Sequence, residues 1–152
     1  MSYRLDYDEG LRDVVQRLQE EHREIDKKLD QISKIVKREN GNLRVALSLL
    51  NSQKTTILRH SIEEESRLMR AIMKSNETRK ESLSSLKILQ EHRRIKEFFE
   101  DELPYLLYEN CENQVTKRII EFIELIHKHQ EEEERETFPL ALEAILSSSR
   151  GR

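Results

Sequence analysis

The sequence predicts an all-α protein, an up-down-up-down antiparallel four-helix bundle. The chain of 152 residues is 38% charged and 36% hydrophobic but has only three glycines and two prolines, which is typical of helical proteins. Apolar residues also recur in steps of three and four along four separate stretches. The length fits one domain with its own core. We expect an N-terminal extension over residues 1–9, the bundle over 10–146 and a disordered tail over 147–152.

Each of the four stretches predicts one helix with an apolar seam that faces the bundle. The expected bounds are about Asp8 to Glu39 for helix A, Asn42 to Asn76 for helix B, Thr78 or Ser82 to Glu109 for helix C, and Glu112 to Leu146 for helix D. Asn40-Gly41 should end helix A, while Pro104 and Pro139 should interrupt helices C and D. The seam of helix C is expected to include Leu86 and Leu89 before His92, and Ile95 after it.

Four histidines interrupt these seams near the middle of the predicted helices. They are His22, His60, His92 and His129, one in each helix. Two of them are followed four residues later by a glutamate, Glu64 or Glu133, and positions i and i+4 share one face of a helix. Because the midpoints of the helices stack at one level in such a bundle, the six side chains should form one polar layer in the core.

Polar side chains in a core destabilise the protein unless something satisfies them, and the simplest partner here is a pair of metal ions. Each ion would take two imidazoles, and Glu64 and Glu133 would each bridge both ions. A solvent-derived oxo or hydroxo bridge would complete five ligands and leave a vacancy on a metal that prefers six. Imidazole and carboxylate suit iron, manganese or zinc, although structural zinc usually takes four ligands. Which histidines share an ion stays open.

The chain also has an internal repeat. Residues 18–25, LQEEHREI, resemble residues 88–95, ILQEHRRI, with His22 aligned to His92. Residues 60–64, HSIEE, resemble residues 129–133, HQEEE. The two offsets are 70 and 69 residues. Two helical hairpins related by a pseudo-twofold axis would suit a symmetric two-metal site.

On these residues the chain resembles the hemerythrin-like family, also called the HHE cation-binding domain. The match covers roughly residues 10 to 146, and the fourth-helix segment from His129 to Phe138-Pro139 is similar to that of the family. The corresponding place after Glu64 has lost Phe-Pro. Oxygen carriers of the family typically have another histidine where this chain has Lys96, and an aspartate where it has Glu133. The chain therefore looks closer to the branch with four histidines and two glutamates.

The resemblance implies a four-helix bundle with two non-haem iron ions. It implies a protein that binds dioxygen, nitric oxide or peroxide at an open iron position and acts in oxygen, redox or iron sensing or in a stress response. One alternative is a di-iron enzyme or iron donor, for peroxide or nitric-oxide detoxification or iron–sulfur repair. Another is a helical adaptor, metal-free or stabilised by zinc. A buried His–Glu network without metal would need every member satisfied.

Composition narrows the remaining classes of function. The net charge is −3 and basic residues form no patch, which argues against a nucleic-acid partner. No run approaches the roughly 20 apolar residues that span a bilayer, and the charged start lacks a secretion signal, so we expect a cytoplasmic protein. The single cysteine, Cys111, allows neither an intramolecular disulfide nor a thiolate cluster.

The polar neighbours of the six residues receive simpler interpretations. His127 should lie on the surface or between helices, since it points away from the side of His129. Glu65 and Glu134 are expected to face away from the seam. Glu21 and Glu91 precede histidines in both halves, and surface ion pairs are the expectation, with hydrogen bonding to a ligand histidine as the alternative.

Overall fold

The fold is entirely helical over the residues that the structure describes. A computed structural model describes residues 10–38, 40–75, 79–109 and 111–150, in which the helices lie end to end in four rods. The first rod is α1 (Leu11–Lys37). The second joins α2 (Leu43–Ser52), α3 (Lys54–Glu63), a π-helix (Glu64–Met69) and α4 (Arg70–Ser75). The third joins α5 (Arg79–Glu97), a π-helix (Phe98–Glu102) and α6 (Leu103–Leu106), and the fourth joins α7 (Glu112–Glu132), a π-helix (Glu133–Thr137) and α8 (Phe138–Arg150).

The rods correspond to the four predicted helices, with small differences at their ends. The predicted extension 1–9, which includes the expected start of helix A at Asp8, lies outside the described residues. So do the expected ends of helices A and B, at Glu39 and Asn76, and one expected start of helix C, at Thr78. In the fourth rod, α8 continues to Arg150, so residues 147–150 of the expected disordered tail are helical. No glycine or proline occurs between Pro139 and Gly151 to end the helix earlier. Residues 151 and 152 lie outside the described part.

The turn between the first two rods follows the prediction from Asn40-Gly41. Asn40 adopts a left-handed backbone with φ of 64°, which asparagine tolerates better than most residues. A Cβ on Gly41 would lie 2.0 Å from the carbonyl oxygen of Ile35, so only glycine fits there. The side chain of Asn42 then accepts hydrogen bonds from the backbone N–H groups of Arg44 and Val45 and caps α2.

Two apolar clusters pack on either side of the histidine level. The larger cluster is built around Phe99, Phe122 and Ile119, and it includes α1 from Ile25 to Val36. The smaller contains Val14, Val15, Leu18, Leu68, Ile72, Phe138 and Ala141. The polar residues lie between the two clusters in sequence in the first, second and fourth rods, as expected for a polar layer that crosses an apolar core.

The order of these layers along the chain reverses from rod to rod. The first rod passes from the smaller cluster through the histidine to the larger cluster, and the second passes from the larger to the smaller. The third rod runs from His92 into the larger cluster, and the fourth runs from the larger cluster to the smaller one. Of the helices in the described residues, none is both long and apolar enough to cross a membrane.

The expected seam of the third rod is wrong before His92. Leu86 is 54% exposed and Leu89 is 36% exposed, whereas Ser85 and Ile88 are buried. At about 100° per residue, Ser85 and Ile88 lie within about 40° of His92, while Leu86 lies about 120° away. Repeated steps of three drift around the helix, so the buried face follows alternating steps of three and four through Ser85, Ile88, His92 and Ile95.

Candidate metal centre

Six polar side chains from the four rods meet in one layer of the interior. They are between 0% and 4% exposed: His22, His60, Glu64, His92, His129 and Glu133. They form two groups that share both glutamates, namely His22, His60, Glu64 and Glu133, and Glu64, His92, His129 and Glu133. Within each group, one nitrogen or oxygen of every side chain lies within 4.8 Å of the others. Each group could therefore hold a metal ion.

Each half of the chain contributes one pair of histidines. The ring centroids of His22 and His60, from the first two rods, are 4.6 Å apart. Those of His92 and His129, from the third and fourth rods, are 4.8 Å apart. The pairing that sequence reasoning left open is thus within each hairpin, while Glu64 and Glu133 lie between the two pairs.

The inward atoms approach one another closely without forming hydrogen bonds. The distance from Nε2 of His60 to Oε1 of Glu64 is 2.7 Å, and from Nε2 of His129 to Oε1 of Glu133 it is 3.0 Å. Nε2 of His22 lies 3.3 Å from the same Glu133 oxygen. Although these distances are short, none of the four Nε2 atoms or four carboxylate oxygens has a hydrogen-bond partner among the described residues. Buried polar atoms rarely stay unpaired in proteins, so a partner such as an ion, a ligand or water is expected here.

Charge coupling within the cluster sets the protonation of its members. Burial alone raises the pKa of Glu64, but the surrounding imidazoles, above all that of His60, outweigh it and lower the pKa. Burial lowers the pKa of His22, and His60 beside it lowers the pKa further. Burial also acts to lower the pKa of His60, yet Glu64 and Glu21 raise it to about 9. A cation that binds here takes the place of the proton on His60.

Each histidine is held from behind by a different glutamate. The Nδ1–carboxylate distances are 3.1 Å for His22 and Glu134, 2.9 Å for His60 and Glu21, 2.9 Å for His92 and Glu65, and 3.2 Å for His129 and Glu91. An ionised carboxylate only accepts hydrogen bonds, so Nδ1 donates and the lone pair of the neutral imidazole lies on Nε2. Once a cation has replaced the proton of His60, all four Nε2 atoms can bind ions in the layer.

These four glutamates were interpreted differently from the sequence. Glu65 and Glu134 were expected to face away from the seam, and surface ion pairs were favoured for Glu21 and Glu91. The expectation for Glu65 and Glu134 is wrong, because each carboxylate reaches a histidine on another rod. Glu21 and Glu91 follow the alternative, hydrogen bonding to a histidine, and Glu21 also forms an ion pair of the expected kind, with Arg17 at 3.0 Å. The side chains of Glu65 and Glu134 are still 40% and 41% exposed. A glutamate beside the seam is long enough to reach across to the neighbouring rod, and helical periodicity does not show this.

The repeat relates the four contacts to one another. Glu21 and Glu91 precede a histidine and reach the other histidine of the same hairpin, whereas Glu65 and Glu134 follow a shared glutamate and reach the opposite hairpin.

No family model, curated protein or solved structure matches this chain. The interpretation of the site therefore depends on its own geometry.

A π-helix begins at each shared glutamate. These segments are Glu64–Met69 and Glu133–Thr137, and π-bulges inside α-helices are frequent at functional sites. Pro139 follows the second segment and removes a helical N–H donor, but Arg70 occupies the matching place in the first half. The proline therefore does not account for both segments. Their common feature is the glutamate that starts them.

The other candidate groups lie away from the layer. His127 is 40% exposed, with Nε2 3.5 Å from Asp26 and 3.8 Å from Asp30, which agrees with the expected interhelical position. Cys111 is exposed at the start of α7. The six residues thus offer imidazole nitrogen and carboxylate oxygen only, a set that suits iron, manganese or zinc.

Proposed function

We propose that this chain is a non-haem di-iron protein that binds dioxygen, nitric oxide or peroxide at an open iron position. In this proposal it acts in oxygen, redox or iron sensing or in a stress response. The observation that carries the proposal is the pair of buried donor groups that share Glu64 and Glu133. Two carboxylates common to both groups are what a pair of bridged ions requires, whereas two independent single sites would have no need to share them.

The arrangement of the rods supports a hemerythrin-like fold. The order of the apolar clusters and the histidine level along the chain reverses from one rod to the next, as it would in an up-down-up-down bundle. The six interior donors also correspond to the four-histidine, two-glutamate pattern of that family. We therefore include membership of the hemerythrin-like family in the proposal.

The residues of the chain have three tasks in this function. The four histidines and two glutamates would hold the ions, and the outer carboxylates keep the imidazoles in one orientation and tautomer. The apolar clusters above and below the layer keep bulk water out. Iron, when bound, would supply the redox change and the open position for the small ligand. Four protein donors per ion leave room for that ligand, because iron commonly takes six.

The proposal is tested by metal content and an optical spectrum. Purified chain given ferrous iron in air should bind two irons, one for each donor group, and absorb in the near-ultraviolet as coupled ferric pairs do. Glu64→Ala and Glu133→Ala should each lower the iron content strongly, because each carboxylate serves both ions. The matched control is Glu132→Ala, since Glu132 contacts Lys87 at the surface instead.

Three outcomes would contradict the proposal. A chain that binds one ion or none and shows no such bands is not a di-iron protein. Equal effects of the three alanine substitutions would mean that the shared glutamates are not the bridging ligands. Strong binding of zinc with no uptake of iron would favour a zinc-stabilised adaptor.

A further inference from the structure

The polar layer has two different walls. On the side of the larger cluster, the nearest inward residue on every rod lies three positions from a histidine. All four of these residues are buried isoleucines: Ile25, Ile57, Ile95 and Ile126. This wall offers no hydrogen-bond donor from a side chain to anything that binds in the layer.

Of the four residues that adjoin the layer on the opposite side, Thr137 alone carries a hydroxyl group. Here the nearest inward residues lie four positions from a histidine or a shared glutamate, and all are buried: Leu18, Leu68, Ile88 and Thr137. Leu68 follows Glu64 and Thr137 follows Glu133 at the same spacing, so the repeat places leucine in one half where the other has threonine. The two halves of the centre are therefore chemically different on this side alone.

The Thr137 hydroxyl is unpaired within the described part of the chain. Thr137 is 2% exposed, and its Oγ1 has no hydrogen bond among the described residues. A buried hydroxyl in a helix usually donates to the carbonyl four residues earlier, as Ser61 does to Ile57 at 3.2 Å. At Thr137 that carbonyl belongs to Glu133. It accepts the backbone N–H of Phe138 in the π-helix but no hydrogen bond from the Thr137 hydroxyl. Leaving such a buried group unpaired lowers the stability of the protein.

We propose that Thr137 donates a hydrogen bond to the small ligand that binds at the metal pair. This inference rests on the function proposed above and deepens it, because it assigns the ligand to the Thr137 wall and not to the isoleucine wall. The ligand is a diatomic molecule or small anion with an oxygen or nitrogen atom that accepts the bond. The other residues named on the two walls are buried and apolar, so their side chains do not compete with Thr137 for the acceptor atom of the ligand.

Azide, a small anion with nitrogen acceptors, is the probe for this inference. Iron-loaded native chain and variants are titrated with azide, and binding is followed by the change in absorption. Thr137→Val keeps the shape of the side chain and removes the hydroxyl, and it should weaken azide binding by about 10- to 100-fold, the usual effect of a hydrogen bond to a charged group. Thr137→Ser should retain most of the affinity. Ser61→Ala removes a buried hydroxyl that already has a backbone partner and should leave azide binding unchanged.

A second measurement separates ligand binding from a structural role. Metal-free Thr137→Val should melt at the same temperature as metal-free native chain or higher, because the substitution removes an unpaired buried hydroxyl. Unchanged azide affinity in Thr137→Val with two irons bound would overturn the inference, and so would native chain that holds two irons but binds no azide. Native chain that takes up no iron would instead fail at the earlier step and overturn the proposed function.

Discussion

At the scale of single residues, the seam positions carry most of the information about the site. The helical periodicity predicts apolar side chains at four positions that hold histidines instead: His22, His60, His92 and His129. Their convergence could therefore be predicted from the sequence, whereas their role as ligands stays a prediction. The carboxylates that accept from Nδ1 could not be assigned in the same way. Glu65 and Glu134 remain partly exposed, and the histidines that they contact belong to the opposite hairpin.

The contact between Glu91 and His129 predicts that Glu91 raises the affinity for metal. Glu91→Gln keeps an acceptor for His129 but removes the charge that favours Nδ1 as donor, and changes behind metal ligands typically lower affinity by about 10- to 100-fold. We expect a loss of that size in a competitive titration against a chelator. Glu131→Gln, at an exposed position on the fourth rod, is the control. Equal affinities of the two variants would show that the Glu91 contact has no influence on metal binding.

At the scale of the helices, sequence periodicity located all four rods but not their finer geometry. The third rod shows why: steps of three through Leu86 and Leu89 look like a seam, yet they rotate away from His92 and leave both leucines exposed. The π-helices were also not predicted. Pro104 and Pro139 indicated interruptions near two of them, whereas nothing in the residues from Glu64 to Met69 signals the third.

The corrected seam of α5 predicts unequal contributions to stability. Ile88 is 5% exposed, so Ile88→Ala should lower the free energy of unfolding by about 2–5 kcal/mol. Leu86→Ala, two residues earlier and 54% exposed, should change it by less than about 0.5 kcal/mol. Urea denaturation of both variants provides the comparison. A larger loss of stability for Leu86→Ala than for Ile88→Ala would contradict the buried face through Ile88 and favour the seam through Leu86 that the sequence predicts.

At the scale of the whole molecule, the chain is built from two similar hairpins that join at their polar residues. Each hairpin supplies two facing histidines and one shared glutamate, and each sends one carboxylate to support a histidine of the other. Neither hairpin has a complete donor group alone. The internal repeat indicated this symmetry, but it does not give the pairing of the histidines, which depends on how the rods pack.

The central claim is that two ions bind side by side in this layer and share Glu64 and Glu133. Crystals of iron-loaded chain, measured at the iron absorption edge, test it most directly by anomalous scattering. We expect two peaks about 3.5–4 Å apart, the usual spacing of two-metal sites, with one beside His22 and His60 and the other beside His92 and His129. A single peak, or peaks held only by surface carboxylates, would contradict it.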